Sequence, residues 1–172
     1  MRRPRAAVTA VALVALVFLI PARPSPAAAT EPAAPVGSEA VCVAQWLDTL
    51  TPGISLTPST VTFTSNGPTG TITCVGSVRG HAVTGPGTFG EQGRISGTCA
   101  SGSGEAIFTM TIPTDGGPQT VIVPAVFTTV GTVGLRPTGT FPGGFVAVPA
   151  QGDCVTTPIT QIAVVLYGVL TT

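Results

Sequence analysis

The chain has 172 residues with seven arginines, seven acids, one histidine and no lysine, for a formal charge of zero. Charged residues make up 8% and no basic cluster exists to neutralise phosphates, which excludes nucleic-acid binding. Aromatic residues are only 5%, so a domain of this size must hold itself together with little aromatic bulk.

Met1 to Ala29 combines Arg2, Arg3 and Arg5, an apolar run from Ala6 to Ile20, and an Ala27-Ala28-Ala29 end. That order predicts a secretory signal peptide over residues 1–29, its apolar run shorter than the roughly 20 residues of a membrane span. Its removal leaves Arg79, Arg94 and Arg136 against seven acids, a formal charge of −4. The first cysteine is Cys42, too late for a lipid anchor at the cleavage site, so the expected destination is secretion or loose association with the envelope. Abundant Ala, Gly, Pro, Val and Thr without lysine suggest a GC-rich bacterial genome. Residues 30–38 read as a disordered Pro- and Ala-rich tether, and 39–172 as one disulfide-stabilised β domain.

Between Glu39 and Leu50, apolar Val43, Trp46, Leu47 and Leu50 fall at helical spacing, and Thr51-Pro52-Gly53 would stop a short helix. The rival is a strand through Val41 and Val43. Trp46, the only tryptophan, is expected as a core or lid residue bordering a pocket. From Thr60 the period becomes two: Val61 and Phe63 alternate with threonines, and Asn66-Gly67 suits a type I′ hairpin turn. Ile72, Cys74, Gly76 and Val78 share one side of the next strand. Gly90 to Gly93 and Ser101 to Gly104 read as corners, with Arg94 to Ala100 as a strand between them. Phe108, Met110 and Ile112 then form an inward row, and Asp115-Gly116-Gly117 makes another hairpin corner before Val121 and Val123.

Pro124, Pro137, Pro142 and Pro149 each remove a ladder donor, so strands there should be short, bulged or at an edge. The last run, Ile159 to Leu170, is apolar on both faces. Such a strand is buried twice or offers one face to another chain, to lipid or to an envelope component. Tyr167 within it reads as a buried phenol with one partner, or as a pocket or interface residue. Turn signals every 8 to 12 residues predict an all-β antiparallel meander of about eight or nine strands. An up-and-down barrel is favoured, with a two-sheet sandwich as the alternative.

Cys42, Cys74, Cys99 and Cys154 are an even set without compact metal-ligand spacing, so two disulfides are expected and no metal or cofactor. Three connectivities are open; Cys42 with Cys74 and Cys99 with Cys154 is the favoured one.

Gly85 to Gly90 spells GxGxxG but leads into a strand rather than a helix, which argues against a dinucleotide site. His81 is the only base for a hydrolase triad and sits at a strand end. Asp48, Glu91, Glu105, Asp115 and Asp153 read mostly as solvated corner residues, with Asp153 beside Cys154 the most interesting. The phenylalanines could line a cavity or fill one.

The run GTFGEQGRISGTCASGSGEAIFTMTIP with the later GDCVTTP resembles small exported all-β proteins of high-GC Gram-positive bacteria. The resemblance implies an exported β domain and brings no catalytic residue with it. Three readings follow: a non-enzymatic barrel or sandwich that binds an apolar small molecule or an envelope partner, a structural or pore-like envelope protein, and a barrel isomerase with an apolar pocket. Trp46, Phe108, Met110 and Tyr167 are the residues expected at a pocket or interface. The shortage of catalytic side chains favours the first.

Overall fold

The computed structural model describes residues 39–65, 70–136 and 140–172. Its strands in chain order are β1 (Glu39–Ile54), β2 (Ser59–Ser65), β3 (Gly70–Val78), β4 (His81–Ala82), β5 (Gly87–Gly97), β6 (Ser101–Ile112), β7 (Gln119–Val130), β8 (Val133–Arg136), β9 (Gly143–Gln151) and β10 (Ile159–Thr171). No helix occurs among the described residues.

All pairings are antiparallel, and β10 pairs back onto β1 from Glu39↔Thr171 to Ile54↔Ile159, which closes the sheet into an up-and-down barrel. Closure leaves no long open edge at the first and last strands. One stave is divided: β2 pairs with the end of β1 (Thr51↔Thr62) and β3 with its beginning (Cys42↔Cys74), both running the same way. On the other side β5 pairs with both, at Phe63↔Gly93 and at Gly70↔Phe89. β1, β2, β5 and β3 thus form a small circuit within the larger ring.

Three expectations need correction. The Glu39 to Leu50 segment is a strand, not a helix, with Ala40, Cys42, Ala44, Trp46, Asp48 and Leu50 all buried at every second position. Small or polar residues occupy inward places while Val41 and Val43 face out, so hydropathy alone imitates a helical period. Asn66-Gly67 lies outside the described residues, but β2 and β3 flank it as successive lengths of one stave and do not pair with each other. Glu91 and its neighbouring glycines are mid-strand in β5, and Gly102 and Gly104 lie within β6; the turn between these strands is at residues 98–100.

Those glycines have another purpose. Gly93 faces Phe63, Gly104 faces Phe127 and Gly134 faces Phe145 across neighbouring strands. A Cβ at Gly93 or Gly104 would come within 2.5 Å of the Phe63 or Phe127 ring, and one at Gly134 would strike Phe145. Each ring therefore lies against bare backbone of the next strand rather than projecting across the lumen. The three rings form an arc, with centroids 5.9 Å apart for Phe63 and Phe127 and 5.6 Å for Phe127 and Phe145.

The proline-rich quarter behaves as its chemistry requires. β8 is the shortest stave of the ring, pairing with β7 only from Thr128 to Val130, so Pro124 sits where β7 has no described partner on that side. Pro149 lies at a register shift between β9 and β10. Pro137 falls outside the described residues.

The lower half of the barrel is filled. Phe89, Met110, Ile112, Phe141, Ile72 and Leu170 are all but inaccessible there. Cys42 and Cys74 are directly opposed on β1 and β3 and joined within this plug. The second disulfide, Cys99–Cys154, joins the β5–β6 turn to the β9–β10 loop at the upper end. The favoured pairing is the observed one, and on a loop-closure model each bond stabilises by about 4 kcal/mol.

Substituting Gly104→Ala will push a methyl into the Phe127 ring and lower stability by about 1–3 kcal/mol. Gly85→Ala, which meets nothing within 4 Å, will stay within about 0.5 kcal/mol of the parent. Urea denaturation of the two variants measures both; equal stability would remove the ring-on-glycine packing as a constraint.

Candidate functional site

Above the plug the barrel encloses a cavity of about 270 Å³. Trp46 and Phe108 lie toward its floor, the Phe63, Phe127 and Phe145 arc forms part of its wall, and the Cys99–Cys154 bridge lies at its rim. The β5–β6 and β9–β10 connections sit on opposite sides of the ring, so this disulfide is a strut across the mouth. Trp46 packs on Phe89 at 4.4 Å and Phe89 on Phe108 at 5.3 Å, a continuous stack joining the cavity floor to the plug.

A polar belt interrupts this apolar interior. Asp48 on β1, Ser65 on β2 and Glu91 on β5 come to one level, because Asp48 pairs with Ser65 and the next rung matches Thr64 with Gln92. Ser65 Oγ accepts from the Glu91 amide at 2.9 Å and donates to the Glu91 carbonyl at 3.2 Å. Asp48 is only 2% exposed. Its Oδ2 accepts a hydrogen bond from Trp46 Nε1 at 2.8 Å, while Oδ1 has no well-formed hydrogen bond among the described residues. Burial raises this carboxyl from its ordinary 3.8 to about 6, against the opposing effect of hydrogen bonding by Trp46 and by the Glu91 side chain. Both carboxyls line the cavity, and no Arg or His side chain does so among the described residues.

Other predicted residues fall elsewhere. Met110 is fully buried in the plug and does not border the cavity. Tyr167 is not a buried phenol: it is 52% exposed on the outer wall, opposite Gly144, because β10 turns Leu166 inward instead. Asp153 is at the mouth, where the Thr156 hydroxyl and then the amides of Thr157, Thr156 and Val155 hold its carboxyl well below the usual range. It fixes the loop that carries Cys154, an Asx-type turn rather than a reacting group. His81 Nδ1 is 3.4 Å from Asp115 Oδ1 at the opposite end of the barrel, both side chains exposed, and His81 does not line the cavity. Glu105 pairs with Arg94 at 2.9 Å on the outside, directly across the β5–β6 ladder, where such a pair contributes at most about 1 kcal/mol. The GxGxxG run ends inside β5 with no helix after it.

In the sequence the glycines beside Glu91 signal a corner, and Asp48 lies in the segment whose apolar spacing resembles a helix, so neither is marked as inward-facing. An alternation count across β1 would have placed Asp48 inward, in register with Trp46 and Leu50. Among the described residues no three His, Cys, Asp or Glu side chains converge as metal ligands. The arrangement suits binding of a small, largely apolar molecule with one polar end. Comparison with protein-family models, curated proteins and solved structures finds no match to this chain.

The raised Asp48 carboxyl makes stability depend on pH. Between about pH 4 and pH 6 the folded state holds a proton that the unfolded chain has released, so stability falls as pH rises through that window and stays lower above it. Asn at this position keeps an acceptor for Trp46 and removes the titration. Asp48→Asn will match the parent near pH 4 and exceed it by up to about 3 kcal/mol at pH 7. Urea denaturation across that range reads the difference; parallel curves would mean that Asp48 is not the buried acid described.

Proposed function

We propose that this is an exported, non-enzymatic barrel that holds a small apolar molecule in its upper cavity. The observation that carries this reading is the cavity itself, apolar over most of its wall and reached through a mouth braced by Cys99–Cys154. Two disulfides suit an oxidising compartment, in keeping with the leader read from residues 1–29. A volume of about 270 Å³ is close to the lower end of the range for small-molecule sites, which matches a ligand of modest size. The filled lower half offers no lumen for a pore, which weighs against the pore-like reading. An isomerase of the apolar-pocket kind would need a reacting group, and Asp48 and Glu91 are its only acids in the belt; no positioned electrophile accompanies them among the described residues.

The test uses the lone tryptophan, which borders the cavity. 1-Octanol will change Trp46 fluorescence saturably, with a matching heat of binding by calorimetry. Ala147→Phe, which places a ring in the lumen from β9, will abolish both while leaving the circular dichroism unchanged. Absence of saturable binding to the parent would sink the reading.

A second reading is favoured by the outer face. Val75, Val41 and Val169 form one exposed row across β3, β1 and β10, and Val165 and Val146 continue the patch onto β9. Val43 and Tyr167 stand between these rows and no charged residue interrupts them. Two copies can bury this face against each other without desolvating a charge. Light scattering after size exclusion will then report a dimer that Val41→Lys converts to a monomer; a monomeric parent at high micromolar concentration would discard this association.

A further inference from the structure

We propose that the cavity selects an apolar amine, seating its ammonium group on Asp48 and Glu91 with the hydrocarbon part along the phenylalanine arc. This rests on the reading of the cavity as a ligand site and adds the chemistry of the head group. Three features carry it.

First, Asp48 is almost wholly buried and borders the cavity; Trp46 Nε1 bonds its Oδ2 and the Glu91 side chain hydrogen-bonds the same carboxyl, while Oδ1 meets no donor at bonding geometry among the described residues. A buried acceptor left in that state costs free energy that a bound N–H group would recover. Second, a second carboxyl, Glu91, lines the same cavity one stave beyond Ser65. Third, the wall contains no cationic side chain among the described residues: Arg94 faces outward in its pair with Glu105, and Asp153 at the rim adds another negative group. A hydrogen-bonded pair of inward acids, with no cationic side chain among the described lining residues, disfavours a carboxylate ligand, tolerates an alcohol and attracts an ammonium. The Trp46 indole fixes Asp48 from the other side, so the acceptor is already oriented before a ligand enters.

The remaining lining matches such a molecule. Phe63, Phe127 and Phe145 provide ring faces, and Ile162 and Val164 on β10 close the opposite side. Aromatic faces also attract a cation or its polarised neighbouring methylenes. A linear amine of about eight carbons lies within the volume that is free, with its charged end down and its tail toward the mouth.

The experiment compares n-octylammonium, 1-octanol and octanoate at pH 8 by Trp46 fluorescence and calorimetry. The expected order is octylammonium tightest, by at least about tenfold over 1-octanol, with octanoate weakest. Asp48→Asn will bring the octylammonium-to-octanol affinity ratio to within about twofold of one, the neutral amide no longer giving a charge-assisted bond. Glu91→Gln will lower the same ratio and serves if the first variant does not fold. If 1-octanol binds and octylammonium binds no tighter, the amine inference is overturned while the cavity reading stands. If none of the three binds, both fall together.

Discussion

The packing of a phenylalanine ring on a glycine of the neighbouring strand is the constraint from which the rest of this barrel follows. A narrow barrel ordinarily fills its lumen with side chains, and aromatic rings fill it fastest. Here Gly93, Gly104 and Gly134 let Phe63, Phe127 and Phe145 lie along the wall, so the rings are buried without crossing the lumen. In the lower half Phe89, Met110, Ile112 and Leu170 are all but inaccessible, and there the lumen is filled. One barrel thus has a solid end and a hollow end, and in the hollow end three phenylalanines lie flat against facing glycines. The cost is borne by flexibility, since glycine in a strand forfeits backbone entropy and side-chain packing. The two disulfides offset it by restricting the unfolded chain.

That division explains how much could be read from the residues alone. The two-residue period of β2, β3, β7 and the later part of β6 is legible because threonine alternates with apolar residues there, and the barrel follows from it; the cysteine count gives two disulfides but leaves three pairings open, among which the structure shows the favoured one. The strand through Glu39–Ile54 was hidden, because Ala40, Ala44 and Asp48 face inward while Val41 and Val43 face water. Hydropathy records what a side chain is, not which way the closed sheet turns it. Gly90, Gly93, Gly102 and Gly104 look like turns in the sequence for a related reason: glycine signals a bend or a close approach with the same letter. Only the register, which sets Gly93 beside Phe63, separates the two. Once Gly90 to Gly93 is given to a turn, Glu91 is assigned to solvent and the carboxyl pair disappears from view.

Asp48 is the element least explained by folding. Its neighbours along the inner face of β1 are Trp46 and Leu50, and a leucine in its place would bury apolar surface at no electrostatic cost. Instead the position holds an acid whose ionisation burial opposes, restrained by one indole and accompanied by a second carboxyl. Groups of this kind persist where stability is not the only demand on the position. Ser65 between them bonds the Glu91 backbone through its hydroxyl, while the Glu91 side chain hydrogen-bonds Asp48, and both residues line the cavity.

The rim and the wall distribute rigidity unequally. Cys99–Cys154 ties opposite sides of the mouth, and the Asp153 turn holds the loop that carries one of its ends. Among the described residues β8 has short ladders on both sides, meeting β7 from Thr128 to Val130 and β9 from Val133 to Arg136. Local opening costs least where the fewest ladder bonds must part. Local opening of the wall is therefore favoured at the β7–β8–β9 seam, while Cys99–Cys154 restrains the connections on either side of it. Phe145 and Ala147 lie on the β9 side of this seam and Phe127 on the β7 side, all three lining the cavity. The seam with few ladder bonds thus carries part of the apolar wall, and the acidic belt of Asp48 and Glu91 lies across the ring from it, on staves that are paired along most of their length.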